Sequence, residues 1–465
     1  MKRSHLSLLP FLALLPWLPA AKAGEPPAAP RPSESTESAE PAPKQEPLLR
    51  ASDVKNLSKL FAGYFLARKE DSRKLMAREY AELEKKLAST AKSKKLESML
   101  VSPVDLRSVY GSPIEPEKKV RKSAFYEQSF TMSLQGKDRE YKFFLSLPRT
   151  YSHDDPIPMV LTLHPRMSRD DEVKSWARHA YPSAITDIAA VVIPINVGED
   201  SADWTSMEGR YLAFFTILQM SLNYNINRLA LFLDGSAGTA QAATEYAIGY
   251  PGQFTAVICR HLDSAPATDY LENARNIKFL LLAPAEGDGA KLVSDFAEEA
   301  KAKGVETQLV NAGIDENGAP DEAGVAALVE LIGGTTKVTA PERIHFTTRS
   351  SAYVNAYWLH LLEMELSEDT PITVEAEVDR AANEIRVKTP PDVRKFRVYL
   401  NDDLVDLGKS IKLVHTVVKD DAPESTVRFE GTKTRNLETS LDVWFYNLSG
   451  NFGEVYTNFI DVEVP

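Results

Sequence analysis

The chain has 465 residues, 43% of them hydrophobic and 26% charged, with a formal net charge of −12. That length is too great for one compact domain and predicts two or three units. The acidic balance speaks against nucleic acid or an anionic membrane surface as a partner, and the single cysteine, Cys259, rules out an internal disulfide.

Lys2 and Arg3 precede an apolar run from Leu6 to Leu18, and Ala21-Lys22-Ala23 follows with small residues where a signal peptidase cuts. Residues 1–23 therefore read as a secretory signal peptide, and export to the periplasm or the extracellular space is expected. The run is shorter than the ~20 residues of a spanning helix, so no membrane insertion is expected. Residues 24–50, rich in Pro, Ala, Ser and Glu, read as a disordered linker. Over residues 51–100, Leu57, Leu60, Phe61, Tyr64 and Phe65, then Met76, Tyr80, Leu83 and Leu87, recur at helical spacing. They predict an N-terminal helical hairpin packed on something larger.

From residue 122 the pattern changes. Phe125 to Leu134 and Arg139 to Leu147 alternate like an antiparallel pair. Short continuous apolar runs follow at Pro158–His164, Ile188–Ile193, Arg228–Leu233, Phe254–Cys259, Ile277–Leu282 and Glu306–Val310. Helical stretches separate them: Asp171–Ala180, Gly209–Asn223, Ala237–Gly249, Lys291–Lys303 and Glu322–Ile332. This alternation predicts an α/β domain over 122–334, doubly wound around a mostly parallel sheet. Gly333-Gly334 closes it. Beyond, β-branched and aromatic alternation predicts an all-β, sandwich-like domain over 340–465.

The chemistry-bearing segment is Leu231-Phe232-Leu233-Asp234-Gly235-Ser236-Ala237-Gly238-Thr239. A strand, a tight turn flanked by small residues and a helix would lift the Ser236 hydroxyl above the sheet, beside backbone amides able to stabilise an oxyanion. No cofactor or metal is expected. His153-Asp154-Asp155 and Asp170-Asp171-Glu172 lack the ligand spacing of zinc or calcium sites, and no glycine-rich phosphate loop occurs.

With these residues the chain resembles the α/β-hydrolase superfamily over about 122–334, in its secreted esterase and prolyl-oligopeptidase-like branch, which includes polyhydroxybutyrate depolymerase and feruloyl esterase relatives. The resemblance also includes Pro158–His164, Asn223-Tyr224-Asn225-Ile226-Asn227 and Tyr250-Pro251-Gly252-Gln253-Phe254. It implies Ser236 as nucleophile, Asp288 or Glu286 as the acid, and the amides of Arg166 and Ala237 as the oxyanion hole. Three departures follow. Asp234 replaces the glycine two residues before the serine. His164-Pro165 replaces His-Gly in the oxyanion loop, removing one N–H. The position of the base histidine falls at Ile314, and no histidine occurs between 262 and 344. Without a base a serine hydroxyl is a poor nucleophile.

The expectation is an exported hydrolase-fold protein of impaired catalysis that binds an ester, peptide or polymer-like ligand in the old cleft. The alternative is an active serine hydrolase with a relocated base, His261 oriented by Asp263 or, next, His164. A third reading is a structural protein whose cleft is filled by Trp204 or Phe232.

Overall fold

The computed structural model describes residues 5–6, 46–69, 78, 81, 85, 89–134, 137–165, 169–195, 203–266, 268–311, 313–315, 319–367, 370–418, 423–447 and 453–464. Nearly all of the expected signal peptide and residues 24–45 of the expected linker lie outside the described residues. So does most of 70–88, where the second arm of the helical hairpin was expected. The linker's last residues, 46–50, are not loose, since the Leu48 and Leu49 amides donate to Asp105 and Leu49 is buried.

The chain is mixed α/β, with one large, mostly parallel sheet and two further β-sheets. The large sheet runs in the order β1-β2-β3-β5-β4-β6-β7-β8-β9. After β1 (His5–Leu6), its strands are β2 (Tyr126–Leu134), β3 (Lys137–Ser146), β4 (Ile157–Leu163), β5 (Ala190–Ile195), β6 (Ile226–Ser236), β7 (Ala256–Arg260), β8 (Lys278–Leu282) and β9 (Thr307–Val310). β2 and β3 are antiparallel, β3 is antiparallel to β5, and every pairing from β5 to β9 is parallel. The central strands are mostly apolar because helices cover both of their faces, with Thr162, Asp234 and Arg260 as buried polar exceptions.

One face carries α4 (Asp170–Ala180), α5 (Ser183–Thr186) and α9 (Glu322–Gly334), which pack on Val160, Phe232, Ile258 and Leu280. The other carries α6 (Met207–Asn223), α7 (Gly238–Gly249) and α8 (Asp288–Ala302), which pack on Leu161, Leu233, Val257 and Phe279. α4 shows why such a segment is a helix. Val173, Ala177 and Ala180 are buried at three- and four-residue spacing, and Asp170, Asp171 and Glu172 sit in the first turn, where the helix dipole favours acids.

Beyond α9 the chain forms two sheets. One has the order β10-β13-β14-β16-β17 and the other β11-β12-β15-β18. The strands are β10 (Arg343–Thr348), β11 (Asn355–Ala356), β12 (Leu359–Met364), β13 (Ile372–Asp379), β14 (Glu384–Thr389), β15 (Val393–Leu400), β16 (Ile411–Val417), β17 (Glu424–Gly431) and β18 (Asn458–Glu463). Alternate residues from both sheets, among them Val374, Val387, Leu413, Phe396, Val398 and Ile460, share one core. A helix that alternation did not foretell, α10 (Leu437–Asn447), interrupts the strands.

The N-terminal helices α1 (Ala51–Lys69), α2 (Thr90–Val101) and α3 (Pro103–Gly111) bury Leu57, Phe61, Phe65, Met99, Leu106 and Tyr110. Their core also takes Leu218 and Leu222 of α6 and Leu441, Trp444 and Val455 from the C-terminal region. The Tyr110 and Trp444 rings stack at 4.6 Å. Each large apolar side chain buried this way contributes roughly 1.5–3 kcal/mol.

Candidate functional site

The parallel strands β4, β6, β7, β8 and β9 end at one edge of the sheet, so His164, Ser236, His261, Glu286 with Asp288, and Ile314 follow strands that stop side by side. Open α/β sheets bind ligands outside this edge. The topology thus gathers the predicted residues at the expected place, but their geometry differs from the expectation.

The strained corner falls one residue beyond the serine. Ala237 has φ 55° and ψ −131°, a conformation that costs an L-residue about 1–3 kcal/mol. Ser236 is still in β6, paired in register with Arg260 and only 3% exposed. In a strand-turn-helix elbow the strained residue is the one displayed above the sheet. Here that residue ends in a methyl group. Gly235 fits this register. A Cβ on it would lie 2.5 Å from the Thr239 carbonyl oxygen and 2.8 Å from Ala240 Cα, so the close approach of strand and helix requires glycine two residues before Ala237.

Thr239 staples the turn. Its hydroxyl accepts from the Ser236 amide at 2.9 Å and lies 2.7 Å from the Leu163 carbonyl oxygen. The Ala237 amide, expected in the oxyanion hole, instead donates to the Arg260 carbonyl at 2.9 Å. Arg166, the other expected donor, lies outside the described residues.

Asp234 is not a misplaced turn residue. It forms a buried ion pair with Arg260, whose Nη2 and Nε lie 2.5 and 3.1 Å from its two carboxylate oxygens. Tyr181 donates to Asp234 at 2.6 Å and shares a hydrogen bond with the Thr162 hydroxyl. Arg260 also donates to the Ala180 carbonyl and stands 4.7 Å from the Tyr181 ring centroid. The sequence reading missed this network. Its signal was present in two opposite charges, Asp234 and Arg260, each near the end of an apolar run.

The histidines are engaged elsewhere. His164 is wholly buried, its Nδ1 lies 2.7 Å from the Pro165 carbonyl oxygen, and burial pushes its pKa down to about 4. Its ring meets Trp204 edge-on, and the buried Trp204 indole N–H donates to the His164 carbonyl at 3.1 Å. His261 sits at φ 47°, with Nε2 3.2 Å from Asp263 Oδ1, as the alternative reading required of a base and its orienter. Its Nδ1 is buried without a hydrogen bond, and its ring lies against Gly289. His153, His179, His345, His360 and His415 are hydrogen-bonded to Tyr151, Ser175, Thr347, Tyr399 and Thr389. Among the described residues no histidine is hydrogen-bonded to Ser236. Ile314 is 5% exposed and belongs to the apolar core beside α9, while Glu286 and Asp288 are exposed.

Cys259 is buried, and burial pushes its thiol up to about 12. Among the described residues no cluster of three or more His, Cys, Asp and Glu side chains could hold a metal ion, and no helix is long and apolar enough to cross a membrane. A surface cleft of about 600 Å³ opens elsewhere, between Leu48, Val101 and the turn that holds Asp402 and Asp406.

No protein-family model matches the sequence, and no curated protein matches it either. Solved structures similar to part of the chain include a thermostable esterase, 14% identical with a TM-score of 0.36. That likeness covers 45% of this chain and 63% of the esterase, so the chain spans less than two thirds of that relative. A ferulic acid esterase from Anaeromyces mucronatus is 15% identical with a TM-score of 0.33, covering 47% of this chain and 93% of that one. An S-formylglutathione hydrolase from Staphylococcus aureus is 13% identical with a TM-score of 0.33, covering 45% of this chain and all of that one.

Proposed function

We propose that this chain is an exported, non-catalytic protein of α/β-hydrolase type that binds an ester, peptide or polymer-like ligand at the carboxyl edge of its large sheet. In this reading residues 122–334 form the hydrolase-like domain and 340–465 a β-sandwich that accompanies it. The reading rests on one observation above all: the strained corner of the elbow carries Ala237, whose methyl cannot attack a carbonyl. Two features support it. Ile314 fills the base position with core, and the Ala237 amide is already bonded to Arg260. The strand order β2-β3-β5-β4-β6-β7-β8-β9 and the helices on both faces are what a hydrolase of this type needs to display an elbow.

The alternative, an active hydrolase using Ser236 with His261 as base, draws support from the His261–Asp263 pair. It lacks a nucleophile within reach, because Ser236 is buried within the strand. The mature protein is expected to resist labelling by a fluorophosphonate probe and to leave simple aryl esters intact. Replacing Ala237 by Ser together with Ile314→His should restore measurable labelling. Labelling of the unmodified chain that disappears on Ser236→Ala would defeat the non-catalytic reading.

A further inference from the structure

Away from the sheet edge, three parts of the molecule meet around buried charge. Lys337, just after α9, donates its backbone amide to Leu229 and its ammonium to the Gly252 carbonyl, at 2.9 and 2.8 Å, which ties it to the α/β region. The same ammonium lies 3.3 Å from Glu454 Oε1, just before β18 in the C-terminal region. The two side chains are 1% and 0% exposed. Gly453, at φ 90°, lets this segment approach so closely that a Cβ there would stand 2.8 Å from the Arg228 carbonyl oxygen of β6. From the N-terminal helices, Arg107 of α3 reaches Asp403 of the C-terminal region at 2.6 Å.

Every packed element adds a charged or titratable group. Lys337 and Arg228 come from the α/β region and Arg107 from the helices, while Glu454, Asp403, Tyr357 and Tyr456 come from the C-terminal region. Lys337, Arg107 and Asp403 act electrostatically on Glu454, whose own charge acts on both tyrosines. Among the described residues Lys337, Arg228 and Arg107 thus stand against Glu454 and Asp403, with Lys337 and Glu454 shut away from water and Arg107 and Asp403 at the partly exposed rim.

We propose that this junction is a proton-sensitive lock: the C-terminal β region docks on the rest of the molecule with Glu454 protonated, and loss of that proton on passing upward through neutral pH loosens the docking. Burial carries the effect. It pushes Glu454 up to about 7 against the opposing pull of Lys337 and Arg107, and it lowers Lys337 despite the nearby Glu454. A carboxyl whose docked pKa is raised holds more protons docked than undocked between about 4.5 and 7. Its contribution to docking is therefore full below that window and is lost as pH rises through it. Between about pH 5 and pH 8 the docking equilibrium should weaken on the order of 10²-fold. His360 and His415, lowered to about 4 by burial, work in the opposite sense, since their folded forms resist protonation as pH falls below 6.5. A comparison of variants separates the two effects.

The test is amide hydrogen exchange on the full chain across this pH range, taking the protection of β18 relative to β6 and correcting for intrinsic rates. In the unaltered protein the ratio should fall on the order of 10²-fold, declining from pH 5 and levelling off just above pH 7, whereas Glu454→Gln, which keeps the uncharged shape, should hold it flat. A flat profile in the unaltered protein, or the same fall in Glu454→Gln, overturns the proposal. Should Glu454→Gln fail to fold, Lys337→Met decides: removing the cation should carry the fall on beyond pH 7, and a profile that still levels off near 7 refutes the lock.

Discussion

Among the described residues two ion pairs are wholly buried, and they are built differently. Asp234–Arg260 is a two-pronged contact inside a strand-and-helix layer, where Tyr181 donates to the carboxylate and the Ala180 carbonyl takes a further guanidinium N–H. Lys337–Glu454 joins two regions at 3.3 Å, with the ammonium also turned toward Gly252. Burial lowers the pKa of Arg260, but Asp234 and Tyr181 more than offset it and the net direction is up. At Glu454 burial wins and the carboxyl is pushed up to about 7. Depth alone does not decide whether an interior charge persists; the number and geometry of its hydrogen bonds do.

The sharpest way to break this comparison is Arg260→Met. It leaves Asp234 buried beside a neutral side chain and should cost about 3–5 kcal/mol by urea unfolding. A loss no larger than that of an ordinary surface change would mean that the fork is ornamental. A second change separates the corner from the pair: Gly235→Ala drives a Cβ into backbone at Thr239 and Ala240 and should cost about 3 kcal/mol. Lys337→Met should cost less than Arg260→Met, about 1–2 kcal/mol near pH 6, because Glu454 can take up a proton, whereas Arg260 makes a two-pronged contact with Asp234. Equal losses at the two sites would erase the distinction. The smallest effect belongs to Ala237→Gly. Relief of the φ 55° strain is offset by glycine's greater freedom in the unfolded chain, so the melting temperature should hold or rise slightly. A clear fall would show that the corner is unstrained.

Much of the fold was legible because its signals are local and repeated. The apolar runs and intervening helical stretches each landed within a few residues of β4–β9 and of α4, α6, α7, α8 and α9, since continuous apolar runs bounded by turn residues have few other uses in a chain of this length. α3, α5 and α10 escaped notice. α10 (Leu437–Asn447) was hidden because an isolated helix amid strands lacks a repeating context, and its buried Leu441 and Trp444 face a core supplied by residues over 300 positions earlier. A tight turn after β6 was expected with Ser236 at its corner, whereas the positive φ falls one residue later, at Ala237. In Gly235-Ser236-Ala237-Gly238 every side chain is small, so composition cannot tell which residue takes the corner. The register is set by contact of Gly235 with Thr239 and Ala240, and by pairing of Ser236 with Arg260. Asp234 looked like damage for the same reason. Its partners, Tyr181 and Arg260, are remote in sequence and join it only in the folded layer.

The core around α1, α2 and α3 carries a consequence for how the molecule is made. Phe61, Phe65, Leu106 and Tyr110 leave the ribosome long before Leu441, Trp444 and Val455, which complete their enclosure. Until then, among the described residues, Phe215, Leu218 and Leu222 of α6 are the side chains that can shelter them, so these helices wait with sticky faces until the later region is made. Such delayed, long-range closure slows folding and exposes the nascent chain to misassembly, which makes the N-terminal helices a natural place for a holding chaperone to grip.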